Sequence, residues 1–268
     1  MLSLLTAMVA VAVSHFSNQA AQRGSDIAES GLHEDRFNNA VQNLGNPDSV
    51  EVRLGGVYQL ASLIHDVPRY HAPALKQLAS LVRNHAPLLK CGDANWEVPN
   101  DVQGALSVIG NNNRPPAKSS MRFSSDLSRT CLRGANMAQM NFERANLHQA
   151  NLSHALLNGS TLAGVYAFGA DFSGAMMMKS DLTCSILTTA KIRNSMLLGA
   201  KLLGADMIAV DLTESLTEQA DMSYAQVDGA IISSQQINML AKPLGPPQPY
   251  CLPPDQYFPI IPGLEAEQ

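Results

Sequence analysis

The chain has 268 residues, of which 46% are apolar but only 5% aromatic, with 15% charged residues and a formal net charge of -5. This is enough chain for two medium domains, with a core drawn from Ala, Leu, Met and Ser rather than large rings, and its mild acidity argues against a general nucleic-acid binder, which presents a basic surface. The four cysteines, Cys91, Cys131, Cys184 and Cys251, lie far apart and form no C-x-x-C pair, so they read as reduced cytosolic thiols rather than zinc ligands or a disulfide framework.

In chain order, residues 1–16, MLSLLTAMVAVAVSHF, form an apolar leader without formal charge. As a helix it covers about 24 Å, short of the roughly 30 Å hydrocarbon core. It lacks the basic start of a signal peptide. The first basic residue, Arg23, comes after the apolar run, and the positive-inside tendency then predicts a single-pass inner-membrane segment with the body in the cytoplasm. A cleaved signal peptide, a buried segment and an unanchored cytoplasmic chain are the other readings.

Residues 17–110 read as a small α-helical domain. Asp35 to Leu44 forms one helix, stopped by Gly45. Asp48 followed by Glu51 suits a capping box that opens a second helix through Val52, Leu54, Val57, Leu60 and Ile64, ended by Pro68. Pro73 stands near the start of a third helix carrying Leu75, Leu78, Leu81 and Val82. Asn100 followed by Gln103 suits the cap of a fourth, through Val102, Leu106 and Ile109. Short helices of this kind pack as a small bundle or a HEAT-like stack. Residues 111–124 form a polar, turn-rich linker.

From Leu127 a large residue recurs every five positions as far as Ile232, without insertion or deletion, and only Thr217 in the series is not apolar. Two residues before each comes a small residue, from Ser125 to Ala230, with Met140 the exception. A period of five matches neither the 3.6 of a helix nor the 2.0 of a strand. It suits a square coil with five residues per side, one large and one small side chain pointing inward. Thr217 and Ala167 are the weak rungs of such a column.

This run resembles the pentapeptide-repeat family, whose unit is A-[DN]-L-x-x, in Ala145-Asn146-Leu147, Ala150-Asn151-Leu152, Ala170-Asp171-Phe172, Ala205-Asp206-Met207 and Ala220-Asp221-Met222. The resemblance implies a mainly β fold, a right-handed quadrilateral β-helix over 125–232, with four units per coil and twenty-two units making about five and a half coils. At the ~4.8 Å inter-strand spacing this is a rod roughly 25 Å long. Its ends expose backbone and apolar rungs and so need caps. The helical domain is expected to cap one end and a short helix over 233–242 the other. The strings Arg36-Phe37-Asn38-Asn39-Ala40-Val41, Glu51 to Leu60 and Asp101 to Leu106 resemble the region that precedes the solenoid in one bacterial group of these proteins, which often carries a membrane-spanning segment ahead of it.

Function on such a solenoid must sit on outward residues, and residues twenty apart share a side. Leu156, Met176, Met196 and Leu216 then align, with Met178 and Leu198 beside them, as a ridge for a protein partner, the helical domain or the tail. Asp206, Asp211, Glu214, Glu218, Asp221 and Asp228 cluster in the last coils. Some members of the family mimic DNA and bind a type II topoisomerase through an acidic surface, so this patch is the alternative site. Lys179, Lys191, Arg193 and Lys201 interrupt its negative charge, which a duplex would present continuously.

No catalytic constellation is legible. His65, His71 and His85 share the helical domain with Cys91 but form no helical i, i+4 pair and no HExxH string, so no metal is expected. There is no G-x-S-x-G, and the glycines recurring in fives, such as Gly159, Gly164 and Gly169, are turn residues rather than a phosphate cradle, so no cofactor is expected. Residues 243–268 hold eight of the fifteen prolines and read as an extended tail, a polyproline ligand, or a segment that folds back through Tyr257, Phe258, Ile260 and Ile261. The expectation is a non-catalytic interaction or scaffold module, membrane-associated, with a protein partner and no direct nucleic-acid contact.

Overall fold

A computed structural model describes residues 2–113, 125–233, 236 and 251. The first part is four helices: α1 (Leu2–Leu44), α2 (Val50–Asp66), α3 (His71–His85) and α4 (Asn100–Asn112). The leader is not a separate element. It continues without a break into the helix expected at 35–44, and no proline intervenes to stop it. Among the described residues no helix is long and apolar enough to cross a membrane.

The second helix starts one residue later than its capping signal suggests. Ser49, not Asp48, is the cap: its hydroxyl accepts from the Val52 N–H at 3.2 Å, while Asn46 Oδ1 takes the N–H groups of Asp48 and Ser49. Such caps satisfy the first, unpaired donors of a helix. Pro68 ends the helix as expected from its missing N–H. Pro99, rather than Asn100, precedes α4 at its cap, which leaves the Gln103 side chain free for the rod. α1 and α2 approach so closely that a Cβ on Gly56 would stand 2.8 Å from the Ala40 carbonyl oxygen and 2.9 Å from the Leu44 nitrogen. Ala40, Val57, Leu60, Leu78, Val82, Leu106 and Ile109 fill the centre of the bundle, all fully buried.

From Asp126 the chain coils. Parallel bridges join residues twenty apart in an unbroken ladder from Asp126–Asn146 to Asp211–Ile231. Each large rung donates its N–H to the carbonyl nineteen residues on, as Leu127 does to Asn146 at 2.8 Å. The bridging residue before each rung donates to the coil below, as Asn146 does to Ser125 at 2.8 Å. Twenty residues are four units of five, so each coil has four sides. We number them by their bridging residues: the first side carries Asn146 and Tyr166, the second Asn151 and Asp171, the third Leu156 and Met176, the fourth Thr161 and Asp181. The inward rungs from Leu127 to Leu212 are fully buried, Thr217 and Met222 nearly so. Val227 and Ile232 at the open end are only partly buried.

The helical domain caps the first coil on all four sides. Arg83 reaches the Asp126 carbonyl at 2.6 Å on the first side. Pro87 pairs antiparallel with Thr130 beside the second, with Leu88 N–H on the Arg129 carbonyl and Cys131 N–H on that of Ala86. Gln103 lays its amide along the third, donating to the Asn136 carbonyl at 2.7 Å and accepting its N–H at 3.0 Å. On the fourth, Asn141 N–H bonds the Gly110 carbonyl, the Asn113 side-chain amide donates to the Glu143 carbonyl, and that of Asn141 to the Asn113 carbonyl. Met140, the large member of the small series, packs against Gly110, whose added Cβ would meet it at 2.6 Å. At the far end the Gln236 amide donates to the Leu212 and Ser215 carbonyls. The remainder of the expected cap at 233–242 and of the tail, including Tyr257, Phe258, Ile260 and Ile261, lies outside the described residues.

The cysteines are not reduced thiols. Cys91 is bonded to Cys131 and Cys184 to Cys251, each with Cα atoms 5.3 Å apart, and no cysteine is free among the described residues. Cys131 lies on the second side of the first coil, where the 88–92 turn of the cap passes, so the pair is formed by the docking of cap on coil.

Candidate partner-binding face

Many corners of the rod have a cause legible in sequence. Where Asp or Asn precedes the large rung, its Oδ1 accepts the N–H two residues on: Asn146 from His148, Asp171 from Ser173, Asp206 from Ile208, Asp211 from Thr213 and Asp221 from Ser223, all at 2.9–3.1 Å. These local turns tighten the chain so that the third residue after the Asp or Asn takes a left-handed backbone. The inward hydroxyls close onto the backbone as well, Ser160 on the Leu157 carbonyl and Ser180 on that of Met177, both at 2.7 Å, and Ser215 on that of Ile192.

That turn chemistry separates the sides of the rod. The second and fourth carry Asp171, Lys191 and Asp211, and Asp181, Lys201 and Asp221. The bridging positions of the third carry no charge over four coils, with Leu156, Met176, Met196 and Leu216 bridged in one column, and Lys179 and Glu218 stand at its turn. Met178 and Leu198 stand beside it, two positions after Met176 and Met196. Leu156 and Leu216 are exposed, 36% and 47%, and Met176, Met178, Met196 and Leu198 are half-buried.

The six carboxylates of the acidic patch are distributed differently. Asp206 is on the first side, Asp211 on the second and Asp221 on the fourth, while Glu214, Glu218 and Asp228 sit at turns between sides. Asp206, Asp211 and Asp221 are turn formers. Asp211 is also bonded by Arg193 Nε at 2.5 Å; against the opposing effect of burial, hydrogen bonds from Thr213 and Arg193 hold its carboxyl below the usual range.

The histidines of the helical domain do not converge. His71 Nε2 is 2.8 Å from the Asn112 carbonyl, and His85 lies 4.0 Å from Asp101, the buried partner of Arg53. Cys91 is bonded to Cys131. Among the described residues no group of His, Cys, Asp or Glu could hold a metal ion. An open groove of about 530 Å³ between α2 and α4, lined by Leu54, Tyr58, Gly104, Ser107 and Val108, brings no reactive pair together.

One feature on the first side escaped the sequence reading. His148, nearly buried, stacks on Tyr166 at 5.6 Å between ring centroids and packs at 5.7 Å from Phe168. The twenty-residue step from His148 to Phe168 was its signal. Burial, and then the nearby Arg129, push the His148 pKa below its ordinary value, and burial raises that of Tyr166.

Residues 124–159 and 145–183 match the sequence profile of pentapeptide repeats, in eight copies. No curated protein matches the chain. Among solved structures it is similar to Rfr23, a pentapeptide repeat protein from the cyanobacterium Cyanothece 51142, at 22% identity over 37% of this chain and 65% of that one, with a TM-score of 0.32. It is also similar to alr5209, a pentapeptide repeat protein from Nostoc PCC 7120, at 27% identity over 38% and 84%, TM-score 0.30. QnrB1, a plasmid-mediated fluoroquinolone resistance protein, matches at 22% identity over 43% and 81%, TM-score 0.18. The match thus spans less than two thirds of Rfr23. The pentapeptide profile implies a right-handed β-helix, and the twenty-residue ladder is its coil.

Proposed function

We propose that the chain, whose residues 124–183 match the pentapeptide-repeat profile, is a non-catalytic interaction module whose protein partner seats on the third side of the rod. The observation that carries this reading is the uncharged column Leu156, Met176, Met196 and Leu216 with Met178 and Leu198 beside it. Burying a Leu or Met side chain fully is worth roughly 1.5–3 kcal/mol, so a contiguous set supplies most of a moderate affinity. Methionine adapts its shape to a partner at low cost. Its partner is a protein with an apolar face, and no nucleic acid is engaged directly.

Affinity capture with the full chain tests the face. Met176→Lys with Met196→Lys should reduce partner recovery about tenfold or more, with the thermal midpoint of the isolated protein unchanged. Undiminished recovery removes the reading. Anchoring by residues 1–16 in a membrane joins it as a proposal: α1 carries leader and cap on one helix, so an inserted leader would hold the rod off the bilayer on a rigid stalk. A salt-resistant membrane pellet supports the anchor, and a soluble chain refutes it. The DNA-mimic reading is the weaker one, because its carboxylates stand around the rod rather than along one side and three of them are engaged in turns.

A further inference from the structure

The corner that comes after the fourth side reads, coil by coil, Arg144, Gly164, Cys184, Gly204 and Tyr224. Cys184 is therefore flanked along the rod by two corners without side chains. Into that bare stretch comes Cys251. Its sulfur is bonded to that of Cys184 and lies 3.5 Å from the Gly204 carbonyl oxygen. A Cβ on Gly204 would stand 2.7 Å from the same sulfur, so the corner accepts the incoming chain only because glycine is there.

The second observation is where the chain has been held just before. Gln236 is bonded to the last coils at the end of the rod. Fifteen residues later Cys251 is fixed on an earlier coil. The two bridges also differ in shielding. Cys131 is fully buried under the helical cap while its partner Cys91 is partly exposed, whereas in the second bridge Cys184 and Cys251 are both partly exposed.

We propose that Cys184–Cys251 is a thiol-sensitive clasp that fastens the C-terminal segment to the rod, while Cys91–Cys131 is a protected staple between cap and first coil. A dithiol reductant opens the clasp by exchange. Its thiolate attacks one sulfur of the bridge, the other leaves as a thiolate and takes a proton, and the second thiol of the reductant then displaces the first cysteine from the mixed disulfide. Two electrons and two protons pass from the dithiol to the pair, and the dithiol becomes a cyclic disulfide. Access of the attacking thiolate sets the rate, so the pair with both cysteines partly exposed yields before the pair with one cysteine fully buried. Closed bridges belong to oxidising surroundings, and the clasp responds when the chain meets reducing ones.

The test uses the full-length protein equilibrated in a glutathione redox buffer, then titrated with dithiothreitol under native conditions and alkylated for peptide mapping by mass spectrometry. Cys184 and Cys251 should become alkylated at a dithiothreitol concentration about tenfold lower than Cys91 and Cys131. Over that interval limited proteolysis should cut within residues 237–250 faster while the circular dichroism of the rod is retained. Cys251→Ser should show the same fast cleavage with no reductant at all. Four cysteines alkylated before any reductant is added, Cys91 and Cys131 opening at the same concentration or a lower one, or a Cys251→Ser chain cut no faster than wild type would each overturn the proposal.

Discussion

One residue in each unit takes a left-handed backbone, and at most corners it is not glycine: Gln149 has φ 53°, Lys179 56° and Thr189 58°. Left-handed φ costs an ordinary residue roughly 1–2 kcal/mol, and a β-branched one such as Thr189 is the least suited to it. The Asn146 turn bond supports the Gln149 corner, while Lys179 and Thr189, which follow Met176 and Ile186, are held by the backbone ladder between coils, donating to the Leu198 and Ile208 carbonyls. His148 shows a different residue-scale conflict. Its neutral ring suits the packing against Tyr166 and Phe168, and its folded pKa lies below the ordinary value because of burial and Arg129. His85 shifts the same way, through burial and then Arg53. The unfolded chain therefore binds more protons in acid, and the stability is fully present above about pH 6.5 and falls as pH drops toward the folded value. Thermal melts at pH 7.5 and pH 5 should differ, with the acid midpoint lower, and His148→Phe should narrow that gap. This window lies above the usual carboxylate range, so Asp211 contributes little to it. An identical gap in His148→Phe would show that the ring is not the source.

Between the helices of the bundle, one tie is polar. Arg53 of α2 and Asp101 of α4 are buried together at 2.5 Å, and Arg53 also donates to the Asn46 carbonyl, so one side chain joins three parts of the bundle. Removing one partner of a buried pair leaves the other charge uncompensated. Arg53→Ala should therefore cost about 3–5 kcal/mol in urea unfolding, and adding Asp101→Leu should recover a good part of it. The helices themselves were legible from the spacing of Leu75, Leu78, Leu81 and Val82, and from Pro68. Cap positions were off by one, because Ser49 and Asp48 carry equivalent signals and the choice depends on how Asn46 bends the preceding turn. Gln103 was legible only as a capping residue. Its contact with Asn136 joins positions 33 apart with no periodic relation, and it exists because the open edge of the first coil needs a donor and an acceptor.

For the whole molecule, the rod was legible almost completely, because a side chain every fifth place states the period of the coil directly. The apolar third side emerged from reading the same sequence in steps of twenty. The bridges did not. Cys131 and Cys184 each occupy a place in the repeat, but their partners, Cys91 and Cys251, lie outside it at separations of 40 and 67, so spacing carries no trace of the pairing.

The twenty-residue coil also makes the rod an indexed object, like a gear with four teeth. Excising one whole coil would shorten it while every later residue kept its compass bearing. Excising a single unit of five would leave each inward rung in phase yet turn everything downstream by ninety degrees. Met196 would then follow Met176 around a corner instead of above it, and the anchorage for Cys251 would point in another direction. Length in this chain can drift only in full revolutions without scrambling what it displays.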